Sequence, residues 1–262
     1  MAILENYLGE ILALSTAVVW AFAIILFKRS GETVHPIALN LFKNLVAIGL
    51  FIPTIYIFGE TLLIPAPARI YLILLVSGIL GIGIADTLFF VALNNLGAGL
   101  AAIVGCINSP LVMIVSFIFL GERFTALQFV GFAAILSAIL TTNIERAKLP
   151  PGNWKRGVIA MITANIAIAF SVVMIKPLLA DWPLLWTTNL RIVGGVLALL
   201  VILAFSPRRS AILASLKSPG NIKFTLSGTL VGKPAIGDSG NAYICLLYTS
   251  PSPRDRTRSR MP

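Results

Sequence analysis

The 262-residue chain is 58% hydrophobic and 11% charged, and its 20 Lys and Arg against 10 Asp and Glu leave a formal net charge of +10. An ordinary soluble domain carries about 25% charged residues, and no soluble core of this length could bury so much apolar surface. The mean hydropathy of +0.95 therefore points to lipid as the solvent. One His and two Cys, with no paired acids in one segment, suggest neither a disulfide framework nor a metal or catalytic constellation. No cofactor, no enzymatic activity and no nucleic-acid partner is expected.

Met1 to Glu10 contains Glu5 and Glu10 but no Lys or Arg, unlike the basic opening of a signal peptide. The first apolar segment is followed by Lys28-Arg29 and another span, so it is read as a retained membrane helix. In chain order the predicted spans are 11–29, 36–58, 70–92, 98–120, 125–143, 157–179 and 184–206, with an incomplete eighth from about 223. Turn or charge signals separate them, including Ser30-Gly31-Glu32, Pro65-Ala66-Pro67, Asn94-Asn95, Gly121-Glu122-Arg123, Pro150-Pro151-Gly152-Asn153 and Asp181-Trp182-Pro183. These runs are far longer than barrel strands of about 9–11 residues. The expectation is an all-α, polytopic membrane helical bundle.

The bundle is organised around Ala85 to Arg123, two apolar segments joined by Asn94-Asn95-Leu96-Gly97. Pro110 lacks an N–H, so it frees the Cys106 carbonyl and is expected to break the fourth span. Asn108 and Ser109 can re-satisfy the freed groups or face a polar cavity. Pro110 is thus either a hinge for alternating access or a feature of packing geometry. Gly78, Gly81 and Gly83 would let neighbouring helices approach closely.

A repeat appears at a spacing of 148 residues, matching Gly9 with Gly157, Ala21 with Ala169, Phe22 with Phe170, Lys28 with Lys176 and Lys43 with Arg191. Matched cations are informative, because a charge inside a span costs about 2.5–3.5 kcal/mol on insertion scales. Five spans precede the Pro-Pro-Gly-Asn linker, so the second half enters the membrane upside down: an inverted repeat of five-span halves, the second incomplete. The predicted units are 1–149 for the first repeat and 150–244 for the partial second. Residues 245–262 form a tail whose CLLYTSPSPRD start is similar to an in-frame translation of a sequencing-library adapter. The alternative is a basic cytoplasmic tail that touches anionic lipid.

Several motifs combine into a resemblance. They are Leu14 to Trp20 with Phe27-Lys28, Asn40-Leu41-Phe42-Lys43, Leu88 to Leu93 leading to Leu96-Gly97-Ala98, Ser109-Pro110, Leu120-Gly121-Glu122-Arg123-Phe124, and Gln128 to Gly131. With these the chain resembles the EamA family of the drug/metabolite transporter superfamily, well over 11–143 and loosely over 157–206. The resemblance implies ten spans in two five-span repeats, with the last spans missing here. It also implies that Asn40 and Lys43 belong to a substrate site, where the family commonly carries Arg in place of Lys43.

The remaining candidates each carry an alternative. Lys43 and its repeat mate Arg191 face the interior and bind an anionic group, or Lys43 snorkels to the headgroups. Trp20, placed mid-span, lines a cavity or packs in the core. Asp86 is a proton-coupling carboxylate, a partner for Lys43, or a helix-end cap. Asn108 faces a polar cavity, Glu122 is expected to cap the fifth helix, and His35 is read as a loop residue.

With a cytoplasmic N-terminus, as the resemblance implies, the inside loops hold Arg69, Arg123 and Lys176, while most other cations fall outside. The positive-inside rule favours the opposite placement. The expected function is a secondary transporter moving a small metabolite, amino acid or drug-like compound across the cytoplasmic (inner) membrane by efflux or exchange. Its expected partners are that substrate, membrane lipids and a second copy in a homodimer. The alternative is a non-transporting scaffold or regulatory subunit.

Overall fold

A backbone in hydrocarbon has no water to bond to, so a spanning segment must satisfy its own N–H and C=O groups within a helix. The computed structural model describes residues 8–123, 125, 128–131, 133, 134, 137 and 153–216, and among these the regular structure is entirely helical. The helices are α1 (Leu8–Gly31), α2 (Pro36–Ile57), α3 (Ala68–Gly78), a π-helical segment (Ile79–Ala85), α4 (Asp86–Gly105) and α5 (Asn108–Leu120). After the linker come α6 (Trp154–Ile175), a 3-10 turn (Lys176–Ala180), α7 (Leu184–Phe205) and the short α8 (Arg209–Ala214). Among the described residues five stretches are long and apolar enough to cross a membrane: Leu14–Gly31, Pro36–Ile57, Ala68–Gly105, Trp154–Ala180 and Leu184–Phe205. Most of the predicted fifth span, the eighth span from 223 and the 245–262 tail lie outside the described residues.

Local chemistry sets the boundaries. Pro36 occupies the first turn of α2, where a missing N–H costs nothing, and His35 Nδ1 accepts from the Ile37 N–H at 3.3 Å. His35, expected in a loop, is thus an N-cap. The predicted turn between the third and fourth spans is a kink at Gly97, whose φ of 78° favours glycine. The predicted break in the fourth span is also present, but it lies at Cys106–Ile107. Pro110 is the third residue of α5, in the first turn where helix donors have no intrahelical acceptor. The proline therefore starts α5 instead of breaking a continuous span.

The π-helical segment Ile79–Ala85 was not foreseen; a regular helix was expected there. Its turn is wide enough that the Asp86 N–H bonds back five residues to Gly81. Facing it, α7 crosses at backbone contact distance. A Cβ on Gly78 would fall 2.0 Å from the Arg191 carbonyl oxygen, and one on Gly194 would fall 2.4 Å from the Leu75 carbonyl oxygen. The expectation that glycines permit close helix approach is therefore met at Gly78 against Arg191, at Gly81 against Ser171 and at Gly83 against Ala198 and Gly195.

The buried apolar core draws on both sides of the linker, joining Phe27, Leu39, Phe90 and Leu93 to Met161, Ile192 and Leu199. Large apolar side chains also cover the outer faces, such as Leu14, Val18 and Phe22 on α1, Phe117 and Ile118 on α5, and Leu197 and Val201 on α7. In water such faces would be a liability; in lipid they are the solvent contact.

Two close approaches fix relative direction. Lys28, near the end of α1, donates to the Asn94 carbonyl at 3.3 Å. A Cβ on Gly157, near the start of α6, would fall 2.9 Å from Asn95 Cβ. The end of α1 and the start of α6 thus meet the same kink, so the two helices run in opposite directions.

Candidate functional site

The site is built where α2 supports the π-helical segment. A π turn shifts the hydrogen-bond register and exposes carbonyls that a regular helix would occupy. Asn40 on α2, fully buried, donates through Nδ2 to the Ile82 carbonyl at 2.8 Å and to Thr87 Oγ1 at 3.0 Å. Asn44 holds Asn40 in turn by donating to its Oδ1 at 2.8 Å. Three residues after Asn40, Lys43 is also buried and pairs with Asp86 at the start of α4. Lys43 Nζ lies 5.5 Å from the centre of the Phe90 ring, a cation–π distance. Lys43 does not snorkel; its charge is neutralised inside the bundle.

Across from this pair, Arg191 on α7 is 3% exposed. Its Nε donates to Ser77 Oγ and its Nη2 to Ser171 Oγ, both at 3.1 Å. Ser171 donates onward to the Ser77 carbonyl at 2.8 Å, tying α3, α6 and α7 into one network. Gly81 makes room for it, since a Cβ there would sit 2.3 Å from Ser171 Oγ. A planar guanidinium suits this bridging because its donors are fixed in a fork, whereas an ammonium is a compact charge on a flexible stem.

Between Asp86 and Arg191 opens a cavity of about 360 Å³, within the size range of small-molecule sites. Trp20 and Ile24 of α1 form one wall, with Phe89 of α4 at 6.1 Å between ring centres from Trp20. Met161, Asn165, Ile168, Ser171 and Val172 of α6 form another, and Cys106 and Asn108 line the break before α5. Asn108 Oδ1 is buried and makes no hydrogen bond. Of the predicted residues, Trp20, Asp86, Asn108 and Arg191 meet at the cavity. Asn40 and Lys43 stand behind it; Lys43 pairs with Asp86, and Asn40 bonds to the π-segment backbone.

The EamA-like transporter family matches residues 7–144. The chain belongs to this family. Ten solved chains match it in fold. One of them, a crystal structure, has a TM-score of 0.57 at 17% identity, over 95% of this chain and 91% of its own, which shows the fold alone. No curated protein matches the sequence.

As an EamA-family member the chain is a multi-pass membrane protein of a transporter family. Its Leu-Gly-Glu-Arg turn differs from the expectation. Beyond it, the Thr125 N–H donates to Gln128 Oε1 at 2.8 Å, one arm of a capping box beside the helical residues 128–131. Glu122 turns back, accepting from the buried Ser116 hydroxyl at 2.6 Å and pairing with Lys176 at the end of α6. Asn165, Ser171, Ser77 and this Lys176 pairing were missed in the sequence. Small polar residues inside otherwise apolar spans were the signal available for the first three. Among the described residues no group of His, Cys, Asp and Glu could hold a metal.

Proposed function

We propose that the chain is a secondary transporter in which the cavity between Asp86 and Arg191 holds the substrate during passage across the cytoplasmic membrane. The single observation that carries this is a cavity of about 360 Å³ walled by helices from both sides of the linker, with one carboxylate and one guanidinium in its lining. Such a site offers an anion-binding and a cation-binding group on an apolar and aromatic floor. That chemistry suits a small metabolite, an amino acid or a drug-like compound carrying a charge. The antiparallel course of α1 and α6 supports two inverted halves, 1–149 and 150–244, that rock against each other in alternating access, with the junction before Pro110 as a hinge. Efflux or exchange at the inner membrane, with a homodimer as the oligomeric form, completes the proposal.

The experiment is counterflow of a radiolabelled amino-acid panel in membrane vesicles that contain the protein. Arg191→Gln and Lys43→Ala should each abolish flux while leaving the amount of membrane-inserted protein unchanged. Unaltered flux in both variants would remove the cavity from the mechanism. The Lys43–Asp86 pairing also favours a second reading, a non-transporting scaffold whose buried charges serve each other. Absence of flux for every compound tested, in protein that stays folded, would favour it.

A further inference from the structure

One ion pair outside the Asp86–Arg191 cluster joins the end of α6 to the turn after α5. Asn165, Ile168 and Val172 of α6 line that cavity, and Lys176 follows Val172 by one helical turn, on the same face. Its backbone is still helical at φ −51° and ψ −45°. Lys176 pairs with Glu122, whose second oxygen is held by Ser116, a hydroxyl only 1% exposed. Both charged side chains are mostly withdrawn from solvent, at 16% and 28% exposure. The carboxylate is therefore aimed from the end of α5 across to α6, beyond the last cavity-lining residue of that helix.

The same stripe exists on α1. Trp20 and Ile24 line the cavity, and Lys28 follows Ile24 by four residues. The 148-residue repeat maps Trp20 to Ile168, Ile24 to Val172 and Lys28 to Lys176. Because α1 and α6 run in opposite directions, the two lysines stand at opposite ends of the cavity. Their partners differ in kind. Lys28 donates to the neutral Asn94 carbonyl, on the same side of the linker, whereas Lys176 crosses the linker to a carboxylate.

We propose that Lys176 and Glu122 form a latch that shuts one mouth of the cavity, so that opening toward that side requires the pair to part. The proposal rests on the alternating-access reading, but it is testable without flux because Cys106 lines the cavity. In a Cys245→Ser background, a membrane-impermeant maleimide is applied from each face of membranes that contain the protein, and the rate of Cys106 labelling is measured. Glu122→Gln and Lys176→Gln should each raise labelling from the Glu122 face. A rise of about tenfold is the shift expected when about 1.4 kcal/mol is removed from the closed state. Lys28→Gln should leave labelling from that face unchanged.

The reversed pair Glu122→Lys with Lys176→Glu should return the rate toward that of the parent, which separates a latch from damage to the fold. Equal labelling from the Glu122 face in the parent and both single variants overturns the latch, as does an equal rise in Lys28→Gln. Should a single variant fail to insert, Ser116→Ala, which loosens only the hold on Glu122, must give the same direction of change or the latch falls. Flux that persists with unchanged labelling refutes the latch alone. Shifted labelling without any flux refutes the transport reading alone.

Discussion

Gly78→Ala tests the crossing that brings Arg191 to the cavity. The added Cβ would lie 2.0 Å from the Arg191 carbonyl oxygen, 2.7 Å from its carbonyl carbon and 2.8 Å from its Cα. All three are backbone atoms of α7, so no rotamer change relieves the clash. Non-bonded carbon contacts settle at about 3.5–4.0 Å, so α3 and α7 must separate by more than 1 Å, roughly, along their shared length. Overpacking of this kind costs about 1–3 kcal/mol, at roughly 2–4 °C of melting temperature per kcal/mol for a chain near this size. The assay is thermal unfolding of detergent-solubilised protein, followed by size-exclusion of the surviving fraction. Gly49→Ala is the matched control, since a Cβ there meets nothing within 4 Å. It should stabilise the α2 interior by about 0.5–1 kcal/mol. A Gly78→Ala protein that melts with the parent, or a Gly49→Ala protein that falls equally far, refutes the crossing as drawn.

Asp86→Asn leaves the Lys43 ammonium buried without its carboxylate and should cost about 3–5 kcal/mol, whereas Asp86→Asn with Lys43→Met should recover most of that loss in the same melting assay. Gly81→Ala should damage transport more than stability, because its Cβ would strike Ser171 Oγ at 2.3 Å and displace a partner of Arg191; counterflow beside the melting curve checks this. His35 caps α2 through an unprotonated Nδ1, and burial lowers its pKa from 6.5. Its contribution is therefore present above pH 6.5 and lost as the pH falls through the folded value. Melting points across that window should show a loss on acidification, and His35→Asn, which keeps a cap without titrating, should flatten it.

The sequence made the helical class and most span boundaries legible because the cost of unpaired backbone in lipid leaves few alternatives. Long apolar runs punctuated by Gly, Pro and charge map directly onto helices. Lys43, Asp86 and Arg191 were also legible, since a charge in a span needs a local reason to be there. The π-helical segment was not, because ILGIGIA has no periodicity that separates a π turn from an α turn. The link from Asn40 to the carbonyls of Ile82 and Gly83 and to the Thr87 hydroxyl was hidden with it, since only the family resemblance pointed to Asn40. Glu122 was assigned to a cap three residues away, because its true partners are six residues back at Ser116 and across the linker at Lys176. Local spacing carries no information about a contact that tertiary packing creates.

The π-helical segment explains why the charges sit where they do. Had Ile79–Ala85 continued as α-helix, the extra residue of the wide turn would be absent and Asp86 would be rotated by about 100° around the axis. Asp86 would then leave either Lys43 or the cavity, and the buried ammonium of Lys43 would lose its neutralising partner. The wide turn lets one carboxylate face both, with Lys43 behind it and the cavity before it. Its cost is the disturbed backbone register, and Asn40 compensates by donating to Ile82 and Gly83. Asn40→Leu should therefore act like a lesion at Asp86 despite contacting no charge. It should lower stability by about 1–3 kcal/mol for the Ile82 carbonyl that loses its amide donor, the Gly83 carbonyl keeping the Thr87 hydroxyl, and it should abolish counterflow. Loss of stability with full counterflow would show that Asp86 keeps its place without the π turn's support.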